Sequence, residues 1–336
     1  MKLRVGVVGL GEAWETRHRP ALRSLRERFE VRAVCDQVAH RAKQAAQEFD
    51  AVAVDGFRAL SCREDIDAIF ILAEQWFGTL PILAACDAGK AVYCGSPLDW
   101  DGPTSSTIRQ RVEAAGVVFM AEFPRRHAPA TIRLKELIAT RLGRPKLVFC
   151  HRRVSLKDVE SPLPRGKLCS ATNQDLIELV DWCRYVVGRE PTSVIGLFHK
   201  VRPDSAVDDY KMMSLDFSEQ APGTEIMAQI SSGYYMPARW EEAVSYRPPA
   251  ALQVACENGI AFIDLPTTLV WFDTAGRHQE SLDSERPVGE QLLAQFHRQV
   301  TSFVHNNSGL EDASRALAAV QGAKTSYEEG RRVPLN

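Results

Sequence analysis

Residues 3–14 read LRVGVVGLGEAW, an apolar run, Leu3 to Val8, that ends in Gly9-Leu10-Gly11 and then meets Trp14. A strand that feeds a glycine turn lets the backbone fold back sharply and come close to a pyrophosphate at the start of the next helix. The third glycine of such a fingerprint serves helix-to-strand packing rather than phosphate contact. Trp14 in its place therefore leaves binding open, but it must either shift the start of the helix or set its ring beside the phosphates. The second strand candidate, VRAVCD, closes on Asp36, where a carboxylate can accept both ribose hydroxyls of an adenosine. Such a carboxylate stands where the 2′-phosphate of NADP would sit, with Arg41 the only nearby cation, so NAD is expected over NADP.

The chain of 336 residues is longer than one ordinary domain, and 45% hydrophobic with 25% charged residues is the composition of a globular protein. A formal net charge of −2 gives no global attraction to nucleic acid or to an anionic membrane. No stretch approaches the ~18 uninterrupted apolar residues of a membrane span, and no signal-peptide pattern stands at the start, so the expected location is cytoplasmic. The eight cysteines are scattered, without a Cys-x-x-Cys pair, which fits a reducing compartment. No metal-ligand spacing is evident.

Outward from the first strand, short apolar runs alternate with amphipathic stretches as far as Met120: Val31–Cys35, Ala51–Val54, Ala68–Leu72, Ala91–Cys94 and Val117–Met120. This is repeated β-α-β, hence a doubly wound parallel sheet with helices on both faces. Glycines in Asp87-Ala88-Gly89-Lys90 and Ala114-Ala115-Gly116 mark helix ends. After Pro124 the order changes. Strands at Lys146–Val154, Ser193–Lys200, Lys211–Phe217, Glu225–Ser231, Ala251–Glu257 and Leu269–Phe272 follow one another with few helices between, which predicts an α+β domain built on a large, mainly antiparallel open sheet. Ser155–Asn173 reads as a long loop near a site, and helices are expected at 174–187, 288–304 and 311–328. The division expected is 1–122 for the dinucleotide domain, 123–308 for the substrate and oligomerisation domain, and 309–336 for a helix and tail packing back toward the first. With apolar residues alternating along KMMSLDF and EIMAQISS and nothing following to cover the outer face, a homodimer or dimer of dimers through that sheet is expected.

The order of VGVVGLG, VRAVCD, DAIFILAEQ, AACDAGKAVYCGSPL, FPRRHAPA, LIELVDWCRYVVG and ALAAVQGAKTSYEEGRRVPL resembles the Gfo/Idh/MocA oxidoreductases over nearly the whole chain. The resemblance implies a nicotinamide dinucleotide in the first domain, touching Gly9, Gly11, Glu12, Ala13, Trp14, Asp36, Arg41, Ala73, Gln75, Gly95 and Arg125. It implies a sugar, cyclitol or similar polyol against the sheet of the second domain. It also exposes departures. The family's Glu-Lys-Pro aligns with Gly95-Ser96-Pro97, so Ser96 replaces the proton-moving lysine. The Thr-Pro-x-x-x-His segment aligns with residues 73–78 and loses its histidine. On the second-domain helix, Gln174 stands for the family's aspartate and Glu178 for its acid/base histidine.

Hydride removal from an alcohol needs a group that accepts the hydroxyl proton. On the helix from Gln174, Leu176, Leu179, Val180, Cys183 and Val187 form one stripe, and Asp175, Glu178, Trp182 and Tyr185 a second. If the second stripe faces the substrate, Glu178 is the base, crowded by the like charges of Asp175 and Asp181, and Trp182 stacks on a sugar ring. Ser96 and Gln174 complete the candidate catalytic set. His127, His151, Asp175 and Trp182 are the candidate substrate contacts, although an interdomain hydrogen bond is the plainer reading of His127. One of His151 and Arg152 is expected to face the cleft or a partner subunit, because neighbours on a strand point to opposite sides. Three functions follow: an NAD-dependent oxidoreductase with little turnover of common sugars and cyclitols; a non-catalytic ligand-binding or assembly protein on the same fold; or an NAD-assisted elimination or hydrolysis.

Overall fold

The computed structural model describes residues 1–72, 77–95, 102–155, 168–201, 208–219, 223–236, 242–246, 248–264, 266–282, 286–302 and 308–335. Two compact units result, Met1–Pro124 with Glu285–Ser314, and Arg125–Ser284 with Arg315–Asn336.

In the first unit, β1 (Leu3–Val8) leads through a π-helical turn, Trp14–His18, into α1 (Arg19–Ser24). There follow β2 (Phe29–Cys35), α2 (Ala39–Phe49), β3 (Val52–Ala53), α3 (Phe57–Ser61), β4 (Ala68–Ile71), α4 (Leu80–Asp87), β5 (Ala91–Cys94), α5 (Gly102–Ala115) and β6 (Phe119–Ala121). The six strands are parallel in the order β3-β2-β1-β4-β5-β6. Their order reverses between β1 and β4, the point outside whose carboxyl ends open α/β sheets bind ligands. Every residue of β4 and β5 is buried, as continuous apolar runs in a sheet covered on both faces require. Gly89 and Gly116 close α4 and α5 with φ of 65° and 61°, the left-handed conformation that glycine takes without strain.

The second unit runs α6 (Pro129–Leu137), β7 (Pro145–Ser155), α7 (Leu168–Val187), β8 (Ser193–His199), β9 (Tyr210–Asp216), β10 (Met227–Met236), α8 (Glu242–Ser245), β11 (Leu252–Cys256), β12 (Gly259–Asp264), β13 (Thr268–Asp273) and β14 (Gly276–Ser281). The chain continues through α9 (Val288–Thr301), α10 (Ser308–Glu329) and β15 (Val333–Pro334). A nine-stranded sheet forms in the order β14-β13-β12-β11-β7-β10-β9-β8-β15, parallel only between β7 and β10. Three of its strands, β12, β14 and the two-residue β15, escape the sequence pattern. β12 opens on a glycine and closes on an aspartate, and β14, GRHQES, is a polar edge without alternation.

The even-numbered residues of β7 face α7: Val148 and Cys150 are fully buried, and Arg152 pairs with Asp175 of that helix. The odd-numbered residues occupy the other face. In register with them lie Leu147, Ile195, Leu197, Met227 and Phe272, each between 39% and 48% exposed. No described helix is long and apolar enough to cross a membrane.

The C-terminal third departs from the expected division. Leu292, Leu293 and Phe296 of α9 join the core of the first unit, with the Phe296 ring 5.5 Å from Phe70 and 5.4 Å from Tyr93. The last residues pack instead on the second unit. β15 pairs with β8, and Gly196 of β8 admits α10 so closely that a Cβ there would lie 2.0 Å from the Ala323 carbonyl oxygen. The expected loop from Ser155 is shortened at its far end, where α7 starts at Leu168, and its residues 156–167 lie outside those described.

Candidate functional site

Gly9 has φ 93°, which an L side chain rarely adopts, and its N–H donates to the Cys35 carbonyl at 2.8 Å. The next amide, Leu10, donates to Asp36 Oδ2 at 2.7 Å, and Val38 donates to Asp36 Oδ1 at 2.8 Å. Asp36 is thus a clasp between the glycine turn and the end of β2. Each carboxylate oxygen accepts more than one hydrogen bond, so the clasp leaves acceptor capacity for hydroxyls. These residues fit an adenosine dinucleotide. Gly11 accepts from the Glu15 amide at 3.2 Å within the helical start, where Glu12 is exposed and Ala13 half-buried, and Arg41 is exposed on α2.

Trp14 does not stand beside this turn as a displayed ring. Its side chain is 2% exposed and packs on Phe49 of α2 with ring centroids 5.5 Å apart. The gain from burying an indole, about 3–5 kcal/mol judged by the cost of truncating one, outweighs any gain from displaying it. The helical start adapts as a π turn, in which the Arg19 amide reaches back to the Trp14 carbonyl.

That turn carries Arg17 and His18 toward Glu122, the residue after β6. Glu122 Oε1 pairs with the Arg17 guanidinium, and Oε2 accepts the Tyr93 hydroxyl at 3.0 Å. His18 Nε2 lies 2.9 Å from the same oxygen, off the line of a hydrogen bond, and neither ring nitrogen of this fully buried side chain has an aligned partner. Burial first and the Arg17 charge second hold His18 down to about 3, and burial pushes the Tyr93 phenol up.

In the second unit, α7 is buried nearly all round between Asp175 and Arg184, so its second stripe is not a solvent face. Asp175 is 5% exposed, pairs with Arg152 at 2.6 Å and accepts the Tyr234 hydroxyl. Burial raises its carboxyl against the pull of Arg152. Glu178, with 29% of its side chain exposed, lies 3.4 Å from Arg125 Nε. Asp181 turns to Arg126 and Arg184. Glu178 therefore has a cationic neighbour as well as the like charge of Asp175, and the raised carboxyl is Asp175, which burial lifts first and the Glu178 charge adds to.

Trp182 is not a stacking surface for a sugar. It is fully buried, donates from Nε1 to Thr131 Oγ1 of α6 at 3.0 Å, and lies 5.3 Å under the Arg125 guanidinium. His151 falls on the face of the sheet away from α7, bonded through Nδ1 to Ser231 at 2.9 Å, so Arg152 and not His151 joins Asp175. Gln174 and His127 are half-buried, the latter in the short turn Pro124–His127. Arg125, placed with the cofactor contacts by resemblance, is part of the second unit. Ser96, Ala73 and Gln75 lie outside the described residues.

Three residues near Asp175 were not singled out from the sequence. Tyr234 is one. Lys211, 3% exposed, donates to Asn173 Oδ1 at 2.7 Å, and Ser232 is buried with an unpartnered hydroxyl. Their signal was a polar residue at the buried parity of a strand. Lys211 shares its parity with Met213 and Leu215 in KMMSLDF.

A parallel sheet ordered 3-2-1-4-5-6, with a glycine turn after β1 and a carboxylate after β2, is the arrangement found in dinucleotide-binding α/β proteins. Residues 3–123 match the oxidoreductase family with an NAD-binding Rossmann fold. The chain is 28% identical over 204 residues to inositol 2-dehydrogenase of Cereibacter sphaeroides, covering 59% of this chain and 58% of that protein. It is 33% identical over 146 residues to inositol 2-dehydrogenase of Rhodococcus erythropolis, covering 43% and 40%. The chain thus matches less than two thirds of the length of these relatives. Similarity of fold extends further. Aldose-aldose oxidoreductase of Caulobacter crescentus, solved with glycerol, superposes with a TM-score of 0.84 at 17% identity over all of both chains. An oxidoreductase of Thermotoga maritima gives 0.82 at 18%, covering 100% of this chain and 99% of that one.

The buried neutral His18 makes stability acid-sensitive. Its folded value, about 3, is below the unfolded value near 6.5. As pH falls below about 6.5 the unfolded chain takes up a proton that the native state refuses, so stability is full above that pH and declines toward 3. In thermal melts from pH 7 to pH 4.5, His18→Gln is expected to lose less Tm than the unmodified protein. Equal losses would show that His18 does not contribute to the acid sensitivity.

Proposed function

We propose that this chain is an NAD-dependent oxidoreductase acting on a hydroxyl of a sugar, cyclitol or similar polyol. The observation that carries the reading is the polar group on α7 and the sheet beneath it, Asp175 with Arg152 and Tyr234, next to the partly exposed carboxylate of Glu178. Such a group suits a ligand rich in hydroxyls, each a donor and an acceptor. The inositol dehydrogenase relatives support the substrate class.

NAD, when bound, supplies the acceptor for the hydride. In this reading Gly9 and Gly11 bring the backbone to the pyrophosphate, and Asp36 accepts from the ribose. Glu178 takes the hydroxyl proton during oxidation and returns it during reduction, with the Arg125 guanidinium beside it. Asp175, carrying Arg152 and Tyr234, orients the substrate, and Gln174 and His127 are further contacts. An exposed apolar row, Leu147, Ile195, Leu197, Met227 and Phe272, is the surface through which we propose a homodimer or dimer of dimers. A monodisperse species of about the chain mass of 37.4 kDa in light scattering would remove that proposal.

Two further outcomes are expected. With a polyol substrate found by screening, Glu178→Gln should lower kcat by roughly 10²–10⁴-fold, the usual contribution of a positioned acid/base group. A rate left untouched would exclude Glu178 as the base. In calorimetry NAD(H) should bind more tightly than NADP(H). Asp36→Asn, which retains an acceptor for the backbone clasp, should narrow the difference, and equal affinities in the unmodified protein would end the assignment.

A further inference from the structure

Beneath the end of β5 lies a buried anion whose presence depends on a glycine. A Cβ on Gly95 would stand 2.7 Å from Glu122 Oε2 and 2.7 Å from Leu72 Cδ2, so any larger residue would have to displace that carboxylate. The Glu122 amide donates to the Cys94 carbonyl at 2.9 Å, and the Gly95 amide to the Ile71 carbonyl at 3.0 Å. The ends of β4, β5 and β6 are thereby laced together above the carboxylate, and the backbone at Gly95 rests on Oε2.

The charges there are unequal in their exposure. Glu122 has 2% of its side chain exposed, whereas Arg17, its partner, has 31%. Water screens the cation more than the anion. His18 and Tyr93 complete the group, with burial holding the imidazole low and pushing the phenol up. Ser96, next along the chain, is uncharged where the resemblance expects a lysine. Among the described residues of this group, the Glu122 carboxylate is thus the least screened charge. This end borders the reversal of strand order between β1 and β4, where ligands of such sheets lie.

We propose that Glu122 sets the charge balance of the cofactor: buried under Gly95, it favours the cationic, oxidised nicotinamide over the neutral, reduced one, and Arg17 opposes it. The inference rests on the reading of the first unit as an NAD site. Glu122 is a positioning residue, acting through its field and through the backbone it supports. A role of this kind acts differently on two ligands that differ by one charge, whereas a purely structural role acts on both alike.

The test is calorimetric titration of the full chain with NAD⁺, NADH and ADP-ribose, in the unmodified protein, Glu122→Gln and Arg17→Gln. Glu122→Gln should raise the ratio Kd(NAD⁺)/Kd(NADH) by about 5–10-fold, the size of a charge interaction over several ångströms in partly screened surroundings. ADP-ribose, which lacks the nicotinamide, should bind as before. Arg17→Gln should move the ratio in the opposite direction. Unchanged ratios with binding intact would overturn the inference, as would an equal loss for all three ligands, which would make the cluster structural only. If the unmodified protein binds none of the three, the proposed function falls and this inference with it. If Glu122→Gln does not fold, Arg17→Gln decides alone, and a ratio that fails to fall overturns the proposal.

Discussion

A carboxylate withdrawn from water must be met by cations or hydrogen-bond donors, because an isolated buried charge costs several kcal/mol even after the protein relaxes. This constraint organises both units. Glu122 draws the π turn inward through Arg17. Asp175 fixes α7 to the sheet through Arg152 and Tyr234, and Asp181 fixes the same helix to the junction through Arg126. Buried ion pairs of this kind need not add net stability over apolar packing. What they do is select: a helix turned by one residue would leave two charges without partners.

The same constraint bears on positions where the chain differs from the pattern it resembles. At Gly95 the missing side chain leaves room that the Glu122 carboxylate occupies beneath the end of β5. On α7 the aspartate is absent at 174 and present at 175, where burial puts it against the sheet. Neither carboxylate falls in the alignment column that would draw attention to it. Trp14 is a comparable case in apolar terms: the helix start changes its hydrogen-bonding pattern so that the large ring can go inward.

Most of the fold could be read from pattern. All six parallel strands were visible as short apolar runs, most clearly β4 and β5, because a strand covered on both faces must be apolar throughout. The strands that were missed, β12, β14 and β15, are a glycine-led strand, a polar edge and a two-residue pair, for which the period-two signal is broken or absent. The misplacement of residues 288–301 and 315–336 has a different origin. Periodicity shows that a helix has an apolar face, but not which core receives it, and α9 and α10 are divided between the cores by packing at Phe296 and Gly196. In the site, Asp36 and Glu178 were legible because a turn or a helix repeat framed them. Lys211 and Tyr234 were not, since they are polar residues at buried positions of strands, and single-sequence patterning reads those as noise.

Glu178 and Asp175 show how one helix gives two carboxylates different environments. The two lie three residues apart on α7, hence on neighbouring faces, yet their surroundings differ. Asp175 is buried, and desolvation raises its carboxyl despite Arg152; Glu178 keeps part of its surface in water and has Arg125 beside it. The more solvated carboxylate is open to a ligand, while the buried one, already bonded to Tyr234 and Arg152, is suited to holding its neighbours still.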